Sequence, residues 1–60
     1  MQVRMFMSVD RVAESLDISP TTVKRLIDRG QLNGVRVGRQ IRVSVEDLLR
    51  YVNSSRIETA

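Results

Sequence analysis

Sixty residues, 42% of them hydrophobic, supply one small core, with no room for a doubly wound nucleotide fold, a barrel or a catalytic domain with a deep cleft. There is no cysteine and no histidine, so disulfide frameworks, zinc fingers and thiol or imidazole catalysis are excluded by inventory, and one Phe, one Tyr and no Trp cannot build the aromatic platforms that hold single strands. The net charge of +3 is uneven: residues 19–42 set Lys24, Arg25, Arg29, Arg36, Arg39 and Arg42 against Asp28 alone, a local +5, while the remaining four arginines face six acids.

The opening segment MQVRMFMSVD has no apolar run of signal-peptide length, and no stretch approaches a membrane span. A soluble, intracellular chain is expected. Residues 1–7 carry no strong pattern and are read as an N-terminal extension. From Ser8 the pattern sharpens. Ser8 is a good N-cap, and Val9, Val12, Ala13 and Leu16 follow at helical spacing on one face. Met7 and Val12 occupy the positions of a hydrophobic staple.

The same grammar returns at Ser19. Ile18 precedes the cap, Pro20 sits where its missing N–H is harmless, and Val23, Leu26 and Ile27 form the apolar stripe. Gly30 supplies the stop, so a helix is predicted over about 20–29. Only Asp17 and Ile18 separate this cap from the first helix, which forces a sharp turn and a steep crossing.

Val35 and Val37, then Ile41 and Val43, alternate with Arg36, Gln40 and Arg42 around Gly38-Arg39. This predicts a β-hairpin with a type II′ turn. The apolar members are expected to face the core, with Arg36, Gln40 and Arg42 sharing the opposite face and Arg39 at the tip. A third helix starts after Ser44. Val45, Leu48, Leu49 and Val52 form its stripe, and Glu46 and Asp47 suit the positive end of its dipole. The domain is thus expected over 8–53, with 54–60 as a flexible tail. Each stripe is too short for a coiled coil.

The predicted fold is mainly α with a small β-hairpin: a winged helix-turn-helix. A helix-turn-helix shows one face of its second helix to the protein and the other to the major groove. At 100° per residue, Thr21, Arg25 and Asp28 oppose the apolar stripe, with Thr22, Lys24 and Arg29 on the flanks. Arg25 is placed to fork onto guanine O6 and N7. Asp28 either accepts from cytosine N4 or moderates Lys24 within the helix, and the second reading is preferred. On the hairpin, Arg36, Arg39, Gln40 and Arg42 suit phosphates, and a tip arginine suits a narrow minor groove. Arginine stems lying over apolar surface with no ligand are the plainer alternative. Glu46 and Asp47 do not pair as catalytic carboxylates, because adjacent helical residues diverge by about 100°. No phosphate-loop motif is present. No catalytic residue, metal ligand, cofactor or membrane contact is expected.

The stretches MSVDRVAESLDIS, PTTVKRLIDRGQL, VRVGRQIRV and SVEDLLRYV, in this order and spacing, resemble the excisionase-type helix-turn-helix module, a compact relative of the MerR winged-helix DNA-binding domain. The likeness covers residues 7–52. It implies a phage-type excisionase, or recombination directionality factor: a non-enzymatic architectural protein that binds and bends attachment-site DNA. It implies further copies on adjacent sites and a tyrosine or serine integrase as partner, in the cytoplasm at the host nucleoid. The family's recognition-helix positions fall on Thr21, Thr22, Lys24 and Arg25, and its wing positions on Arg36, Arg39 and Arg42.

Two departures stand out. The usual turn glycine is Asp17 here, and a proline common before the last helix is Ser44. Longer MerR-type regulators continue into a dimerisation helix and an effector domain, so no small-molecule effector is expected here. Two rivals remain. One is a small MerR-like or AlpA-like transcriptional regulator on the same fold. The other is a protein-interaction module that shifts no duplex.

Overall fold

The computed structural model describes residues 5–57, so residues 1–4 of the expected extension and 58–60 of the expected tail lie outside the described residues. Six elements follow in chain order: β1 Phe6–Ser8, α1 Val9–Leu16, α2 Pro20–Asp28, β2 Val35–Val37, β3 Gln40–Ser44 and α3 Val45–Ser54. The winged helix-turn-helix is the observed fold.

Each helix begins on a serine in extended backbone. The Ser8 Oγ accepts from the Arg11 N–H, that of Ser19 from Thr22, and that of Ser44 from Asp47. Each cap satisfies one of the amide donors that a helix N-terminus leaves open. The first helix stops because Asp17 turns left-handed at φ 57°, ψ 45°. Its N–H then reaches the Glu14 carbonyl at 3.2 Å while that of Ile18 reaches Ala13 at 3.0 Å. This is the Schellman pattern, and an aspartate tolerates the conformation better than most side chains. Gly30, at φ 74°, ends α2 the same way, with Gln31 N–H bonding back to the Leu26 carbonyl at 2.9 Å.

Val9, Val12, Ala13, Val23, Leu32, Val43 and Leu48 form the buried core, and Met7, Leu16, Ile18, Leu26, Ile27, Ile41 and Tyr51 pack against it. Val12, Val23 and Val43 are fully sealed. These three valines come from α1, α2 and β3 respectively, which are thereby packed on a common centre. Leu32 is buried too, although it lies in the loop after α2 and carries no periodic signature. Among the described residues no helix is long and apolar enough to cross a membrane.

The sheet departs from the sequence reading in two ways. First, it has three antiparallel strands in the order β1-β3-β2. Phe6, Met7 and Ser8, assigned in sequence to the extension and the first cap, pair with Ser44, Val43 and Arg42. Second, the hairpin faces differ from expectation. Val37 pairs with Gln40, Arg36 with Ile41 and Val35 with Arg42 across the two-residue loop. Directly paired residues share a face. Arg36 therefore lies on the face of Ile41 and Val43, while Val35 and Val37 share theirs with Gln40 and Arg42. The expectation that Arg36, Gln40 and Arg42 sit together opposite the valines is corrected. The physical reason is that β1 pairs with β3 only as far as Arg42. Beyond that point Ile41 still packs against the core, but Val35, Arg36, Val37 and Gln40 are exposed, and neither face there is obliged to be apolar. The turn itself is as expected. Gly38 has φ +62°, and Arg39 stays at negative φ, the pattern of a type II′ loop.

Candidate nucleic-acid interface

The second helix is divided as its periodicity requires. Val23 is buried, Leu26 and Ile27 are half-buried, and Thr21, Lys24, Arg25, Asp28 and Arg29 are exposed. Thr22 is only half-exposed, and its hydroxyl lies 2.8 Å from the Ser19 Oγ. That hydroxyl belongs first to the helix cap, an involvement that sequence spacing did not disclose.

The wing is tied to α2 through Gly34. A Cβ at Gly34 would stand 3.3 Å from Cγ2 of Ile27 and 3.3 Å from Cγ2 of Ile41. The chain thus slips between α2 and β3 at a point where only a hydrogen fits without displacement. This close approach brings the start of the hairpin beside the helix.

The result is an open concavity of about 480 Å3. Lys24 of α2 lines it together with Arg36, Arg39, Gln40, Ile41 and Arg42 of the hairpin, and Ser8, Val9 and Asp10 where β1 passes into α1. Five of the nine residues singled out in the sequence are therefore brought together. Thr21, Thr22, Arg25 and Arg29 are not in its lining; they extend along the outer surface of α2. Arg42 is held in place by its own strand. Its guanidinium donates to the Ile41 carbonyl at 3.2 Å and to the Gln40 side-chain oxygen.

The electrostatics of the two halves differ. On α3, Arg50 pairs with Glu46 at 3.3 Å and Asp47 at 3.8 Å. Among the described residues no such pair involves Lys24, Arg25, Arg29, Arg36, Arg39 or Arg42. Lys24, Arg36, Arg39 and Arg42 share the lining with one carboxylate, that of Asp10; the excess of like charge is repulsive, and a polyanion relieves it.

The helix-turn-helix domain family matches residues 6–56, from the first strand to just past the last helix. The chain belongs to that family. It accordingly carries a helix-turn-helix domain over those residues. A 50-residue stretch, 83% of this chain, is 44% identical to the uncharacterized protein YvgK of Bacillus subtilis (strain 168). The chain spans only 16% of that relative's length. No solved structure matches it.

Proposed function

We propose that this helix-turn-helix protein is an excisionase: an architectural factor that binds and bends attachment-site DNA so that a partner integrase carries out excision. The observation that carries the DNA-docking part is the concavity that Lys24 shares with Arg36, Arg39 and Arg42. In this reading α2 enters the major groove. Thr21, Thr22, Lys24, Arg25 and Arg29 approach base edges and the flanking backbone there. The wing residues Arg36, Arg39, Gln40 and Arg42 hold the adjacent phosphates, with Arg39 at the minor groove. The recombination role is supported by the likeness of the four sequence stretches to excisionase modules.

A single module covers only about 600–1,000 Å2 on DNA. Useful occupancy then calls for neighbouring copies or the integrase itself, within the cytoplasm at the nucleoid. The decisive experiment is excision in vitro by the cognate integrase, with and without this protein. Excision dependent on the protein supports the role. Unchanged excision, together with binding sites that overlap a promoter, would establish the transcriptional regulator instead.

A further inference from the structure

The hairpin register leaves two side chains without a task in this docking. Val35 and Val37 share a sheet face with Ser8, Gln40 and Arg42. They are 42% and 58% exposed. Strand geometry does not require valine there, because threonine serves a half-exposed strand equally well. The valines are also not isolated from the cations. Gln40 and Arg42, directly across from them, line the concavity shared with Lys24, and Arg39 stands at the tip beyond Val37. The ribbon is thus an apolar strip bordered by guanidinium groups that form no carboxylate pair among the described residues.

A surface complementary to such a strip is apolar in its walls and anionic along its rims. A duplex minor groove has that make-up, with deoxyribose C–H edges as walls and phosphates as rims. We propose that Val35 and Val37 pack against deoxyribose in the wall of the minor groove, an apolar part of the grip that does not depend on salt. This rests on the DNA docking proposed above. In that arrangement Arg39 and Arg42 reach the phosphates on either side while the valines exclude water between them.

The test compares the whole chain with its V35T/V37T variant, titrated onto one fluorescent duplex from ~50 to ~200 mM salt. Threonine keeps the branched shape and the strand preference, and a thermal melt confirms that the fold is retained. The single V37T variant repeats the test should the double variant melt early. The double variant is expected to bind about tenfold more weakly, two methyl contacts having been replaced by hydroxyls. The factor should be the same at every salt concentration, because no counterion is released at these positions. Hydroxyl-radical cleavage of the sugars under the wing, suppressed by the wild type, should return. Wild-type affinity in the variant would overturn the inference while leaving the DNA docking intact. So would unchanged affinity combined with loss of self-association in sedimentation, which would assign the face to a second copy. Failure of the wild type to bind any duplex would instead remove the docking itself.

Discussion

Arg25 and Arg39 test different parts of the proposed grip. Arg25 projects from the exposed surface of α2, outside the concavity. A bidentate contact to guanine discriminates between base pairs, so Arg25→Ala should lose about 1–3 kcal/mol of preference at one position. Competition with base-substituted duplexes measures this. Arg39 sits at the tip of the hairpin and lines the concavity. Arg39→Ala should weaken binding to every sequence alike and reduce the salt slope by about one. Thr22 carries a second role that its position does not disclose. Its place in the first helical turn suggests a contact with DNA, and its hydroxyl also lies 2.8 Å from the Ser19 Oγ of the cap. Side-chain hydrogen bonds within a cap leave no periodic trace in a sequence.

At the scale of elements, the three helices were legible because a serine cap and an apolar stripe coincide in each, with Gly30 as a stop for the second. Ser44 illustrates how much one cap carries. Its Oγ accepts from the Asp47 N–H at 3.0 Å and donates to the Asp47 carboxylate at 2.9 Å, at the point where β3 becomes α3. Ser44→Ala should cost about 1 kcal/mol, lowering the melting temperature by about 4–8 °C in a domain of this size, as read by circular dichroism. The first strand was not legible. Three residues carry no usable alternation, and Phe6–Ser8 becomes a strand only because β3 offers an edge. The hairpin faces were misjudged although a signal existed. A two-residue loop at Gly38-Arg39 pairs Val37 with Gln40 and so Val35 with Arg42. The turn therefore fixed the face, and the assumption that valines point inward failed at Val35 and Val37, which are exposed.

For the whole molecule, the decisive asymmetry is between paired and unpaired charge. Arg50 pairs with Glu46 and Asp47 on its own helix, whereas Lys24 and the wing arginines line one concavity and, among the described residues, form no such pair. Gly34, wedged between Ile27 and Ile41, holds the two segments in register. The central claim is that Lys24, Arg36, Arg39 and Arg42 act together on one duplex. Its most direct test is the affinity of the whole chain for duplex DNA between ~50 and ~200 mM salt. Four phosphate contacts should make that affinity fall by about a hundredfold across the range; an affinity that stays level would contradict the account.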